Sequence, residues 1–277
     1  NQGTIVSAGF TDQTTGEIIS GSGNITLAVA GDLENSGTID ALRILNISAK
    51  NIQNEDSGRL EGNFFIATTL SALTNAGELV GGSYMSIDAG TSLKNSGTIQ
   101  GAGLMEFTTA NFANSGTISN FTNPSTGGGI NIEASSSFDN ELGSIYSASQ
   151  ISLELAGTIS FASLGSVQTD GLLTLKGADG GYLDALVIAD GEEFGNIGSL
   201  NIKTKGIEND GALYSADGNL VLEVEGDVTN TGVIYAGGQW LQILLGGTLD
   251  NNGGAVLANH NMLIAGVNYL DDQTDRA

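Results

Sequence analysis

The pentapeptide NSGTI occupies residues 35–39, 95–99 and 114–118, so the chain contains the same five residues three times. Near-copies are found at 75–79 (NAGEL), at 230–234 (NTGVI) and at the very start (NQGTI). An active site repeated this often would be unusual, whereas a repeated structural corner is typical of internally repetitive folds. The pentapeptide therefore predicts a repeat architecture.

The asparagine of each copy marks one repeat unit, and most neighbouring anchors lie 19 to 21 residues apart. Between anchors, apolar residues alternate with polar ones, as at Leu45, Ile47 and Ala49 before Asn54. A period of two indicates strands, and Gly, Asn, Asp and Ser separate the runs as turn formers do. The anchors are Asn35, Asn54, Asn75, Asn95, Asn114, Asn140, Asn209, Asn230 and Asn251.

A unit of this length cannot bury its apolar side alone, but stacked units can, because each strand bonds to the same strand one unit away. We therefore expect an all-β chain folded as a right-handed parallel β-helix of roughly a dozen rungs, about 60 Å long. Residues 1–277 would form one elongated domain. Regular rungs would span 1–118 and 207–277, and 119–206 would be irregular or loop-bearing.

Asparagine and glycine suit the corner because they tolerate left-handed backbone conformations that other residues resist. Stacked asparagine side chains can also hydrogen-bond along the ladder. The anchors are thus predicted to be structural.

Composition limits the function further. The chain has 8 Lys and Arg against 31 Asp and Glu, a net charge of −23, which argues against nucleic acid and anionic lipid as partners. It has no cysteine, which suits an exported protein, and no evident signal peptide or membrane span. Since the chain begins inside a repeat, we expect it to be a piece of a longer protein.

The pattern L-x-N-S/T-G-x-I-x-A, repeated about every 20 residues, resembles the haemagglutinin repeats of two-partner secretion exoproteins. Filamentous haemagglutinin and contact-dependent growth inhibition effectors belong to that family. Residues 31–118 and 207–258 fit the pattern well, and 119–206 fit it poorly. The resemblance implies a secreted filament on a Gram-negative cell surface, exported through an outer-membrane transporter. Neither the family's secretion domain nor a C-terminal toxin domain is visible.

Two breaks in the repeat are candidate recognition loops, because binding residues often lie on loops held by a rigid scaffold. The first, near 119–129, contains FTNPSTGGG, and the second runs from about 165 to 198. A tolerated surface insertion explains either break equally well. The second break contains the acidic candidates Asp179, Asp184, Asp190, Glu192 and Glu193.

No catalytic, cofactor or metal residues are predicted. A polysaccharide lyase of this shape needs clustered carboxylates beside a base, and the pairs Glu192–Glu193 and Asp271–Asp272 point different ways on a strand. His260 is the only histidine and is expected on an exposed turn. No calcium-binding nonapeptide recurs, although isolated Ca²⁺ binding by the acidic loops stays open.

A 21-residue offset places Tyr214 over Tyr235, with Leu257 near the next step and Trp240 and Leu244 on the adjoining run. Alternation predicts that these side chains face solvent, where they form either a contact surface or a ladder that stiffens the sheet. The same comparison places Lys203 over Glu223 and Lys205 over Glu225, pairs that relieve repulsion along the stack.

The leading expectation is a non-enzymatic cell-surface segment, the receptor-binding part of a contact-dependent growth inhibition effector or adhesin. Its partner would be an outer-membrane protein, lipopolysaccharide or a glycan on a target cell. A passive stalk and, third, a polysaccharide-degrading β-helix are the alternatives. The acidic tail YLDDQTDRA would discourage end-to-end stacking, so the isolated segment is expected to be a monomer.

Overall fold

The computed structural model describes residues 1–7, 10–11, 18–19, 23–121 and 128–266. Of these described residues, 69% lie in strands and 3% in helices, and the parallel strands stack as a β-solenoid of about 11 turns. The predicted fold class is confirmed.

A complete coil has three sides, which are clearest where the strands are short. The anchor side ends at the corner asparagine, as in Ile207–Asn209. The second side follows the corner, as in Ala212–Ser215, and the third side completes the turn, as in Leu220–Val224. In the N-terminal block single strands run through several sides; Thr38–Asn54 is one example.

The N-terminal strands are Thr4–Ser7, Phe10–Thr11, Ile18–Ile19, Asn24–Ala28, Asp32–Asn35, Thr38–Asn54, Arg59–Asn75, Glu78–Asn95, Thr98–Gly101, Leu104–Asn114 and Thr117–Asn120. The remaining strands are Gly129–Asp139, Ser144–Ser147, Gln150–Leu155, Thr158–Ser160, Ser166–Thr169, Leu172–Gly177, Ala185–Ile188, Glu193–Asn196, Ser199–Thr204, Ile207–Asn209, Ala212–Ser215, Leu220–Val224, Val228–Asn230, Val233–Ala236, Trp240–Leu245, Leu249–Asp250, Ala255–Ala258 and Asn261–Gly266. Phe10–Thr11 pairs with Ile18–Ile19 antiparallel, whereas the strands of the coils pair parallel.

The core is a set of in-register columns of inward side chains. On the third side, Leu45 pairs with Phe65, and the column continues through eight further coils to Leu241. Phe112 and Phe138 stack on the anchor side with ring centroids 5.1 Å apart. Each fully buried large aliphatic or aromatic side chain contributes about 1.5–3 kcal/mol to folding, and it can do so only while its coil has neighbours.

The corner asparagines form a buried hydrogen-bonded ladder. The Asn35 Nδ2 atom donates to Asn54 Oδ1 at 2.8 Å, and the same bond joins each successive anchor as far as Asn140. Asn1 joins the ladder by donating to Asn35 Oδ1 at 3.0 Å. A second ladder runs from Asn209 through Asn230 to Asn251, with bonds of 2.6 Å. The predicted structural role of the anchors matches this geometry.

The left-handed backbone expected at the corner, however, is wrong: among the described residues Asp179 is the only non-glycine with a positive φ, and the corner glycines Gly77 and Gly97 do not have one. Glycine is needed there for close packing, because a Cβ atom at Gly77 would lie 2.2 Å from carbonyl oxygens of the preceding coil.

Between the two ladders the corner position is apolar. Asn140 donates instead to the Leu164 carbonyl at 2.7 Å, at the end of a short helix, Phe161–Leu164, which the Ser160 side chain caps. On the next coil Ile188 lies in register with Asn209 and cannot donate to it. The buried Asn209 Oδ1 atom consequently has no hydrogen-bond partner.

The segment 119–206, expected to be irregular or loop-bearing, continues the coil over its described residues. Its departures are the helix Phe161–Leu164 and a 3₁₀ turn, Ala178–Gly180, in which Asp179 has a φ of +54°. Most of the predicted loop at 119–129, namely 122–127, lies outside the described residues, as does the acidic tail from 267 onward.

Asn75 and Asn251 provide a matched test of the ladder. Asn75 is fully buried, accepts from Asn54 and donates to Asn95, whereas Asn251 is exposed at the end of its ladder. We expect Asn75→Ala to lower the free energy of unfolding by about 2–4 kcal/mol, because buried polar atoms lose partners, and Asn251→Ala by under about 1 kcal/mol. Urea denaturation of both variants checks this, and equal losses would contradict a stabilising role for the buried ladder.

Candidate contact surface

The predicted tyrosine register is confirmed on the second side of the C-terminal coils. Tyr214 pairs with Tyr235, and Tyr235 pairs with Leu257. Their neighbours Leu213 and Ile234 are fully buried, so the tyrosines point outward. Both tyrosines are half-buried and Leu257 is 50% exposed, which leaves a partly apolar strip at the surface.

Backbone shape determines where the first tyrosine ring lies. Gly195 is the register partner of Tyr214 on the preceding coil, and a Cβ atom there would lie 2.5 Å from the ring. The Tyr214 ring therefore covers Gly195, because no side chain separates them. In the other direction, the Tyr235 hydroxyl and Asn259 Oδ1 are hydrogen-bonded at 3.1 Å.

Trp240 and Leu244 lie on the third side, around a corner from the tyrosines. Trp240 is 46% exposed, as expected, and its backbone N–H donates to Asn219 Oδ1 at 3.0 Å. Leu244 is only 8% exposed, so the prediction that it faces solvent is wrong. Its strand places it between Glu223 and Ala265 on adjacent coils, and it is buried at a position where alternation predicts an outward side chain.

The five acidic candidates occupy two separate corners. Asp179 and Asp184 precede the strand Ala185–Ile188, whereas the other three candidates follow it. Glu192 folds back onto its own corner, where its Oε2 atom accepts from the Ala189 N–H at 2.8 Å. The acidic residues therefore form no single cluster.

Asp184 already has a partner, because its Oδ1 atom lies 2.7 Å from the Lys205 Nζ atom. This hydrogen bond raises the pKa of Lys205, and the charge of Asp184 adds to it. The ion pair predicted between Lys205 and Glu225 is not the one found. The bridge between Leu183 and Thr204 brings the preceding corner beside Lys205, so the lysine pairs with that coil.

Lys203 and Glu223 do face each other on adjacent strands, as predicted, with 3.4 Å between Nζ and Oε1. Tyr182, which the repeat pattern did not single out, completes this cluster. Its hydroxyl donates to Glu223 Oε1 at 2.5 Å, and the Lys203 ammonium lies 4.5 Å from its ring centroid. The hydrogen bond to Glu223, with burial, raises the pKa of Tyr182 to about 12.

A second missed tyrosine, Tyr146, lies in the same outward column as the pair at 214 and 235. It is in register with Ser119 and Gln168, and its hydroxyl donates to Asp170 Oδ2 at 2.9 Å. A fixed 21-residue offset could not find it, because the units between Asn140 and Asn209 are longer. Numbering the outward positions of each coil from its own corner residue would have aligned Tyr146 with this column.

Three further features bear on function: the single histidine, metal ligands and membrane-spanning helices. His260 is exposed on a bend, as expected. Within the described ranges, no three His, Asp or Glu side chains are placed to hold a metal ion. None of the helices in those ranges has the length and apolar character needed to cross a membrane.

The geometry defines a β-solenoid with a partly apolar outer strip. Over 223 residues the chain is 27% identical to Deoxyribonuclease CdiA of Dickeya dadantii (strain 3937), a match covering 80% of this chain and 6% of that protein. That relative is a contact-dependent growth inhibition exoprotein, so the match loosely supports the resemblance seen in the repeats. The nuclease activity in its name is a property of the relative. No family model matches the chain, and no solved structure does.

Because the pKa of Tyr182 is raised in the folded protein, the free energy of unfolding depends on pH in the alkaline range. Since the folded pKa exceeds the unfolded one, the stabilisation is present below about pH 10 and is lost as pH rises through about 12. We expect Tyr182→Phe to reduce the fall in unfolding free energy between pH 9 and pH 12, roughly the range of that titration. Urea denaturation across this range checks it, with pH 7 as the reference condition. Parallel pH profiles for the two proteins would contradict the assignment.

Proposed function

We propose that this chain is a non-enzymatic, extracellular segment of a contact-dependent growth inhibition exoprotein and that it contacts the surface of a target cell. The observation that carries the proposal is the similarity to CdiA, which extends over 80% of a chain whose described residues form a β-solenoid of about 11 turns. Export of the whole protein through an outer-membrane transporter follows from the same class.

A solenoid suits this task because its core and its outer side chains are separable. Inward columns and corner asparagines maintain the coil, so outward positions can vary without unfolding it. The contact residues we propose are Tyr214, Tyr235, Leu257 and Trp240, all half-buried or exposed. Large aromatic side chains at such positions are common anchors of protein interfaces.

Charge narrows the choice of partner. The net charge of −23 and the exposed acids at the two corners favour a partner with exposed Lys or Arg, or one bound through a bridging cation. An outer-membrane protein, lipopolysaccharide or a glycan with either property fits. Such binding would weaken as salt rises, because screening shortens the range of attraction between exposed charges.

A passive stalk is the second candidate, and one observation favours it. The predicted contact residues lie on two sides of the coil and the acids on two corners, so they form no single convergent site. A stalk would supply length and would bind nothing.

Binding to cells separates the two candidates. The purified chain would be incubated with a panel of Gram-negative cells, and the double variant Tyr235→Ser/Leu257→Ser compared with Phe64→Ser. Phe64 is 38% exposed on the third side of the N-terminal block, so its replacement removes exposed apolar surface at a place away from the tyrosines. We expect the double variant to lose binding by about tenfold or more, as an interface anchor would.

Unchanged urea midpoints would show that the variants remain folded. Binding of no cell type by the wild-type chain would contradict the contact role and favour the stalk. Equal losses in the double variant and in Phe64→Ser would move the contact surface away from the tyrosines.

A further inference from the structure

The backbone ladder of the second side is interrupted at one place. Ser166–Thr169 pairs with Ser144–Ser147 on one side, and Glu193–Asn196 pairs with Ala212–Ser215 on the other, but these four strands belong to two different sheets. A side chain spans the gap between the sheets. Asn196 Oδ1 accepts from the Thr169 N–H at 2.8 Å, and its Nδ2 atom donates to the Gly171 carbonyl at 3.1 Å.

A surface groove of about 270 Å³ opens at this interruption. The residues that line it include Phe161, Ser166, Gln168, Glu193, Gly195 and Tyr214. Ser166, Gln168 and Glu193 are exposed, and Phe161 is half-buried. The groove therefore combines aromatic surface with hydrogen-bonding groups that solvent can reach.

We propose that this groove binds a neutral saccharide, an inference that rests on the proposed function and identifies a glycan part of the target-cell partner, while the acidic corners contact charged groups elsewhere on that partner. The face of an aromatic ring carries partial negative charge and attracts the weakly positive C–H groups of a sugar ring. The Gln168 amide and the Glu193 carboxylate can hydrogen-bond to hydroxyl groups, as the few polar groups of a small-molecule site usually do.

Charge selects against the acidic saccharides. The described residues that line the groove include one carboxylate and no basic side chain. A sulfate, phosphate or uronate group would therefore meet Glu193 without a cation to pair with, in a chain whose net charge is already −23. Neutral sugars avoid this repulsion.

The groove is part of a longer column of outward residues. Tyr146 and Gln168 are register partners on one side of the interruption, and Gly195, Tyr214 and Tyr235 continue the outward column on the other. A linear saccharide lying along the solenoid axis would meet these residues in turn, at one rung every ~4.8 Å. The site is thus suited to a chain of sugars more than to a single one.

An array of neutral and anionic oligosaccharides, probed with the full chain, tests the proposal. We expect binding to neutral saccharides, a loss of about tenfold in affinity for Tyr214→Ala, and little change for Phe64→Ala. Tyr214→Phe keeps the ring and should keep the binding. Denaturation midpoints confirm that each variant is folded. If Tyr214→Ala does not fold, Tyr214→Leu, which keeps an apolar side chain without a ring, should show the same loss of binding.

Several results would overturn the site. They are binding to anionic saccharides only, binding to peptides in place of sugars, no binding to the array, or neutral binding that the folded Tyr214→Ala variant retains. Cell binding measured in parallel separates the two proposals. If cells are bound and no saccharide is, the site is wrong and the proposed function stands; if saccharides are bound and no cell is, the proposed function is wrong.

Discussion

The hydrogen bond between corner asparagines of successive coils is the interaction on which the rest of the solenoid depends. It joins side chains 19 to 26 residues apart in the N-terminal ladder from Asn35 onward, and it is buried there. A chain that turns the same corner on every coil must pair the same buried polar group each time. Asparagine meets this requirement, and the strands that end at each ladder lie in register, as Ile207–Asn209 does with Val228–Asn230.

The interruption of the ladder between Asn140 and Asn209 coincides with the other irregular features. The short helix at 161–164, the apolar corner residue Ile188 and the break in the second-side sheet all lie in this interval. Because coils contact mainly their neighbours, an irregular coil changes the local surface without disturbing distant coils. The groove beside Tyr214 is such a local change, so a scaffold that is uniform elsewhere acquires a distinctive surface at the place where its repeat fails.

Sequence reasoning could predict the fold because the period of two and the spaced asparagines are both local signals. It also placed Tyr214 over Tyr235 and Lys203 beside Glu223, where units of equal length make an offset reliable. It failed where three-dimensional neighbours decide the outcome. Alternation predicts which way the Leu244 side chain points but not how much of it is exposed. The bridge from Leu183 that brings Asp184 beside Lys205 has no counterpart in the repeat.

The chemistry of asparagine also explains why each ladder has unequal ends. One side chain carries a donor and an acceptor, so identical residues can stack head to tail, whereas stacked aspartates would bury like charges. Every bond in these ladders points the same way along the chain, from Nδ2 on one coil to Oδ1 on the next. A ladder must therefore finish with a spare donor and begin with a spare acceptor. Asn140 gives its donor to a helix carbonyl, but Asn209 begins a ladder beneath Ile188, and its buried acceptor stays unpaired because an apolar residue cannot satisfy it.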